Sequence, residues 1–204
     1  MIESKNALIV FTRNPELGKV KTRLAATIGN QSALEIYKLL INHTVSITSS
    51  INVDKYVFYS ENIQQNDAWN PVVFIKKLQN GNDLGERMKN AFDLLFKKGY
   101  QKIVIVGSDI YELDSQDIED SFIALKKSPY AIGPAKDGGY YLLGMTQLNK
   151  KIFENKNWGT DTVFNDTIID LKKNEVVLLP EKNDIDIYDD LKNDAVFNQF
   201  LISN

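Results

Sequence analysis

The chain has 204 residues, 43% of them hydrophobic, with 24 Lys and Arg against 27 Asp and Glu and a formal charge of -3. That length fits one domain spanning residues 1–204 with a substantial core, and the acidic balance, with no basic stripe interleaved by aromatics, argues against nucleic acid as a partner. The absence of cysteine excludes disulfides and thiolate-held metals.

Strand-like and helix-like segments alternate along the chain. Residues 7–12 read as a buried strand, and the apolar run stops at Arg13, too short for a secretory leader or a membrane span. A soluble, cytoplasmic protein is expected. A strongly basic loop follows: residues 11–24 read FTRNPELGKVKTRL and place Arg13, Lys19, Lys21 and Arg23 beside a single acid, Glu16. A strand running into a glycine-containing basic loop and then a helix is a common phosphate-binding arrangement, because backbone N–H groups, the helix N-terminus and the cations all favour an anion. Gly18 and Lys19 look like part of a Walker A loop, but Val20 stands where Ser or Thr is required, and no GxGxxG occurs. A solvated surface loop is the competing reading.

Residues 32–49 have helical apolar spacing, through Leu34, Tyr37, Leu40, Ile41 and Val45. Residues 55–59 and 72–75 read as strands, separated by a polar loop over 61–70. Residues 84–98 form an amphipathic helix stopped by Gly99. The β-branched run 103–106 marks a strand buried on both faces. A helix over 115–127 is expected to be capped by Asp114. Short strands at 130–133 and 140–145 flank a glycine turn. Thr160 or Asp161 is expected to cap a helix through Leu171, residues 176–179 form a late strand, and Asp186 is expected to cap a terminal helix ending near Leu201. This order implies a three-layer α/β fold with a mostly parallel sheet. Ligands in such folds bind at the carboxyl ends of the strands.

Two acidic centres lie at such ends. Gly107-Ser108-Asp109 follows the central strand, and a lone carboxylate beside a phosphate-binding loop suits Mg²⁺ or Mn²⁺. A turn-capping role for Asp109 is the alternative. The second centre, GPAKDGGYYLLG at 133–144, offers Asp137 as a metal ligand or a holder of a substrate hydroxyl, with Gly138 and Gly139 allowing close approach, or else a plain Asp-Gly turn. Tyr140 and Tyr141 alternate in direction, so at most one is expected to face a ligand. Trp158, in Trp158-Gly159-Thr160-Asp161, is either a pocket wall or part of a helix start. The sole histidine, His43, lies on a helix away from these centres and reads as structural.

The blocks FTRNPELGKVKTRLA, LQNGNDLGERMKNAF, IVIVGSDIYEL, GPAKDGGYYLLG, WGTDTV and DIDIYDDL resemble, in order and from Phe11 to Leu191, those of the DUF2064 family, assigned as glycosyltransferases and also called radical-SAM/selenodomain-associated transferase 1. The resemblance implies a GT-A-like, nucleotide-diphospho-sugar transferase fold, similar also to the molybdenum-cofactor and phospholactate nucleotidyltransferases. It implies that Arg13, Gly18, Lys19, Lys21, Thr22 and Arg23 hold nucleotide phosphates, with Lys21 also catalytic. Gly81, Asp83, Gly85 and Arg87 would flank the nucleotide. Asp109 would hold a divalent cation, Mg or Mn. Asp137 would be catalytic in an acceptor pocket with Gly138, Gly139, Tyr140 and Trp158. Family members usually have proline two residues after the strand-end aspartate, where this chain has Tyr111, so the loop carrying Asp109 is expected to differ. The implied function is a metal-dependent transferase using a nucleotide or nucleotide-sugar donor and a small-molecule acceptor, most simply a glycosyltransferase. A nucleotidyltransferase and a non-catalytic nucleotide-binding protein are the alternatives. Neither the base, the sugar, the acceptor nor the oligomeric state follows from the sequence.

Overall fold

The computed structural model describes residues 5–171, 175–192 and 194–201. Seven strands form one sheet in the order β3-β2-β1-β4-β6-β5-β7. They are β1 (Asn6–Thr12), β2 (Asp54–Tyr59), β3 (Phe74–Leu78), β4 (Lys102–Gly107), β5 (Tyr130–Pro134), β6 (Tyr140–Met145) and β7 (Val176–Leu178). All neighbouring pairs are parallel except those of β6, which runs antiparallel to both β4 and β5.

The helices are α1 (Thr22–Ile28), α2 (Asn30–Ser49), α3 (Leu84–Lys97), α4 (Ser115–Ala124), α5 (Val163–Asp170) and α6 (Asn198–Leu201). The two-residue period of the strands sorts their side chains onto two faces. Leu8, Val10, Val57, Val104 and Val106 pack with Leu34, Tyr37 and Ile41 of α2 and Ile118 and Phe122 of α4. Ala7, Ile9, Tyr56, Ile103 and Ile105 pack on the other face with Met88, Phe92 and Leu95 of α3, and Phe164 and Ile168 of α5 join them. This is the three-layer α/β architecture expected. A third cluster joins Leu24 and Ile28 of α1, Ile36 and Leu40 of α2, and Ile185, Leu191 and Phe197 of the C-terminal region.

Several boundaries differ from the sequence-based expectation. The strand expected at 72–75 begins at Phe74, because Asn70 makes a turn first. Its side-chain oxygen accepts from Val72 N at 2.9 Å and its carbonyl from Phe74 N at 2.9 Å. The loop over 61–70 is pinned by Asp67, which accepts from Tyr59 Oη at 2.6 Å and Lys76 Nζ at 2.7 Å. Helix α5 starts at Val163 and not at Thr160 or Asp161, since Thr160 Oγ1 donates to Asn157 O at 2.8 Å and closes a turn there. Asp186 caps no terminal helix. Asp190 Oδ2 instead accepts from Asp186 N and Ile187 N, at 2.9 and 2.7 Å, giving a tight turn and a 3₁₀ segment over Tyr188–Asp190. Asp114 does cap α4, in a reciprocal box with Asp117. Among the described residues no helix is long and apolar enough to cross a membrane.

Candidate active site

The carboxyl ends of β1 and β4 lie side by side, Phe11 opposite Gly107 in the parallel register. A buried hydroxyl network joins them. Tyr37 Oη of α2 accepts from Arg13 N at 2.9 Å and lies 3.1 Å from Ser108 Oγ, which donates to Thr12 Oγ1 at 3.1 Å. It anchors the start of the basic loop beside the start of the Asp109 loop. Tyr37, read in the sequence as one apolar position among several, is therefore a polar positioning residue. No amphipathic pattern separates the two roles.

The basic cluster does not act as one patch, because the structure sends its cations in different directions. Lys21 turns inward. It caps α1 in the left-handed conformation, φ 47° and ψ 46°, a state that costs a non-glycine residue ~1 kcal/mol or more. That turn aims its buried ammonium at Asp109 Oδ2, 3.0 Å away, with Asp186 Oδ1 at 3.8 Å. Burial works against the ammonium's charge, but Asp109, Asp186 and Asp184 outweigh it and raise the Lys21 pKa. Burial likewise opposes the Asp109 charge, and Lys21 and then Arg13 overcome it, holding the carboxyl below the usual range. Arg23 is exposed and pairs with Asp186 at 3.0 Å, while Lys19 is exposed and pairs with Glu16 at 2.6 Å. Among the described residues the Arg13 guanidinium has no ion-pair partner.

Arg13 lines three cavities, one of them beside Tyr59 and Trp69; the other two meet at the site. One, of ≈ 410 Å³, is a polar groove lined by Arg13, Asn14, Lys19, Asn82, Asp83 and Arg87 among others. The other, of ≈ 300 Å³, is a chamber lined by Phe11, Arg13, Met88, Asp109, Asp137, Tyr140, Trp158 and Asp184 among others. Arg87 braces the groove's rim, Nε donating to Gly81 O at 3.0 Å. Gly81 lies at φ 146° there. Asp83 caps α3 by accepting from Glu86 N at 2.8 Å, so its carboxylate is already engaged. Gly85 serves packing: a Cβ there would lie 2.3 Å from the Trp158 indole. The ring sits directly on the first turn of α3 and walls the chamber. Gly18, at φ 74°, shapes the loop, and Thr22 opens α1 on the surface.

Across the chamber, Gly138 lies at φ 87° with Asp161 O only 2.2 Å from where a Cβ would be. Gly139 N donates to Asp137 Oδ1 at 2.8 Å, and among the described residues Oδ2 has no hydrogen-bond partner. The Tyr140 hydroxyl is fully buried, beside the equally buried hydroxyl of Thr167, so Tyr140 offers the chamber its ring and not its oxygen. Tyr141 also borders the chamber, but its hydroxyl donates to Pro180 O at 2.9 Å.

Asp184 completes the site, and no role was assigned to it from the sequence. It arrives on a C-terminal strap tied beside β5 by Lys182 N to Pro134 O, 3.1 Å, and to the Asp109 loop by Ile185 N to Asp109 O, 3.4 Å. Burial, then the charges of Asp137 and Asp109, push its carboxyl up to about 6. The DIDIYDDL block was its only signal, and nothing local there distinguishes a site acid from a cap.

Among the described residues no three acidic or histidine side chains form a ready-made metal cage. Asp109 and Asp184 nonetheless fit Mg²⁺ or Mn²⁺, which take one or two carboxylates and complete their shells with phosphate and water. The two carboxylates line the same chamber. Tyr111, in place of the family's usual proline, packs against His43 and Phe197 with ring centroids 4.9 and 5.1 Å away. His43 Nε2 lies 2.8 Å from Leu113 O, a structural role.

The chain is 29% identical, over 97% of its length and 98% of the other chain, to the crystal structure of a candidate nucleotide-diphospho-sugar transferase from Desulfovibrio desulfuricans G20, with a TM-score of 0.85. The same fold occurs at lower identity in a 4-diphosphocytidyl-2C-methyl-D-erythritol synthase, 12% identical over 98% of this chain and 100% of that one, TM-score 0.61. It occurs also in the inositol-1-phosphate CTP transferase from T. maritima, 16% identical over 97% and 95%, TM-score 0.52. No curated protein sequence matches the chain significantly. A family model described as "Uncharacterized protein conserved in bacteria (DUF2064)" matches residues 44–160, more than half of the chain, which therefore belongs to that family.

Proposed function

We propose that this protein is a metal-dependent transferase that uses a nucleotide-activated donor, with glycosyl transfer as its reaction. The observation that carries this reading is Arg13: a guanidinium with no ion-pair partner among the described residues, where a polar groove meets a carboxylate-lined chamber. A guanidinium in that position suits bidentate contact with diphosphate oxygens. The nucleotide lies in the groove, between the Gly18–Lys19 turn and the Gly81–Arg87 rim. The likeness to the Desulfovibrio protein supports the donor class.

Asp109 and Asp184 would hold the divalent cation, which would supply screening of the charge on the departing diphosphate. Lys21 neutralises Asp109 before the donor arrives. Asp137 faces the acceptor through Oδ2 and takes its proton as the acceptor attacks the sugar's anomeric carbon. The bond from that carbon to the diphosphate oxygen breaks, and its electron pair leaves with the nucleoside diphosphate.

The second reading is nucleotidyl transfer, with an acceptor phosphate attacking the α-phosphorus of a nucleoside triphosphate. The fold shared with the cytidylyl-type enzymes favours it.

Thermal unfolding against a panel of nucleoside triphosphates, diphosphates and diphospho-sugars, with and without Mn²⁺, tests the donor site. A ligand at ~100 times its Kd stabilises the fold by about 2.7 kcal/mol. The expected result is a Mn²⁺-dependent rise in Tm with a diphospho-sugar, lost in Asp109→Ala. No shift with any nucleotide in folded protein overturns the reading.

A further inference from the structure

The chamber's lining bears on the acceptor. Its walls are apolar and aromatic: Phe11, Met88, the Trp158 indole and the ring of Tyr140, whose hydroxyl is buried away from the space. Its charged groups are three carboxylates, of Asp109, Asp137 and Asp184, and one cation, Arg13, among the described residues. Arg13 is shared between the chamber and the polar groove.

An anionic acceptor fits this lining poorly. A phosphomonoester needs cations or converging N–H donors when taken from water. In the chamber it would meet the carboxylates of Asp109, Asp137 and Asp184. The Asp137 Oδ1 accepts from Gly139 N, and its Oδ2, which has no hydrogen-bond partner among the described residues, can accept from an O–H or N–H donor.

We infer that the acceptor carries no phosphate or carboxylate: it is a hydroxyl- or amine-bearing molecule, neutral or cationic, with an apolar flank that lies between the Trp158 and Tyr140 rings. Aromatic faces beside a carboxylate favour an ammonium further. This rests on the transferase reading, and within it selects glycosyl transfer over transfer to an acceptor phosphate. The acceptor oxygen or nitrogen forms the new bond to the anomeric carbon, the diphosphate leaves with the broken bond's electron pair, and the acceptor's proton passes to Asp137 Oδ2.

Three probes sharing one apolar body test it on the intact protein without any donor: benzyl alcohol, benzylamine and benzyl phosphate, each titrated by NMR. Only the binding lost in Trp158→Ala is scored, so that phosphate held in the groove does not count. The expected order is benzylamine and then benzyl alcohol, each at least tenfold tighter than benzyl phosphate. Asp137→Asn should cut the preference for amine over alcohol several-fold while its melting stays that of folded protein. Benzyl phosphate binding as well as the other two, or no Trp158-dependent binding of any probe, overturns the inference. Either result leaves the nucleotide and Mn²⁺ test untouched, so the two readings fail separately.

Discussion

At the scale of single residues the site is organised by charge compensation. Lys21 is nearly inaccessible, while the Asp109 side chain is 40% exposed toward the chamber. Replacing Lys21 by Met keeps the packing but leaves Asp109 and Asp184 without their nearest cation. Breaking a fully buried pair costs about 3–5 kcal/mol, and the exposure of Asp109 reduces this to about 1–2 kcal/mol. Urea unfolding of Lys21→Met should read that loss, together with loss of the nucleotide-dependent Tm shift. Asp184 makes a pH prediction of opposite sign to the usual carboxylate. Its folded pKa, about 6, lies above the ordinary 3.8, so between those values the folded state holds the proton more tightly than the unfolded state. Stability should therefore fall as pH rises from about 4 to about 6 and then level off. Asp184→Asn should flatten that decline. Asp109, held below 3.8, acts in the other direction and only at lower pH, where its contribution is lost as pH falls. In the same window Mn²⁺ binding should weaken as pH drops through 6, because the ion needs the Asp184 carboxylate.

At the scale of elements, α3 and the Trp158 loop depend on each other through one missing methyl group. Alanine at an exposed helical glycine ordinarily stabilises by ~1 kcal/mol. At Gly85 the new Cβ would lie 2.3 Å from a rigid indole, so Gly85→Ala should instead cost about 1–3 kcal/mol. It should also shift the tryptophan emission as Trp158 leaves the wall. The elements most legible in the sequence carry a pattern that tertiary context cannot reverse, such as the β-branched run of β4, the amphipathic stripe of α3 and the Asp114 cap of α4. The errors arose where a polar side chain redirected the backbone. Val72 and Val73 extend an apolar run, yet Asn70 folds them into a turn, and Val72 is 91% exposed. Asp186 has the composition of a helix cap. Asp190 occupies its N–H and frees the Asp186 carboxylate for Lys21 and Arg23. The helix over Thr22–Ile28 was hidden inside a loop read chiefly for its charge. Candidate site residues at strand ends, Arg13, Asp109 and Asp137, were legible because topology fixes where such ends lie. Asp184 was not, since it reaches the chamber on a strap with no regular period.

At the scale of the molecule, that strap joins the far edge of the sheet to the site and makes the candidate metal centre depend on contacts remote from it. Lys182 is the principal anchor. Its Nζ donates to Glu112 O at 3.0 Å and pairs with Asp117 at 2.9 Å, with side chains only 14% and 12% exposed. Asn183 N donates to Glu112 Oε2 at 2.9 Å, and Tyr141 Oη holds Pro180 from beneath. Replacing Lys182 by Met removes the strap's charged tie to α4 and leaves Asp117 with its capping bonds alone. The cost in urea should be about 3 kcal/mol, the lower end for a buried pair deprived of one partner. The functional consequence separates this variant from a merely less stable one. Amide exchange over residues 182–187 should accelerate while β1 and β4, each paired with a neighbouring strand on both sides, keep their protection. Asp184 then loses its fixed place opposite Asp109, and the Mn²⁺-dependent part of the nucleotide Tm shift should shrink. The metal-free part, which depends on Arg13 and the groove, should persist. Equal loss of both parts would mean that the strap supports the whole site and not the cation alone.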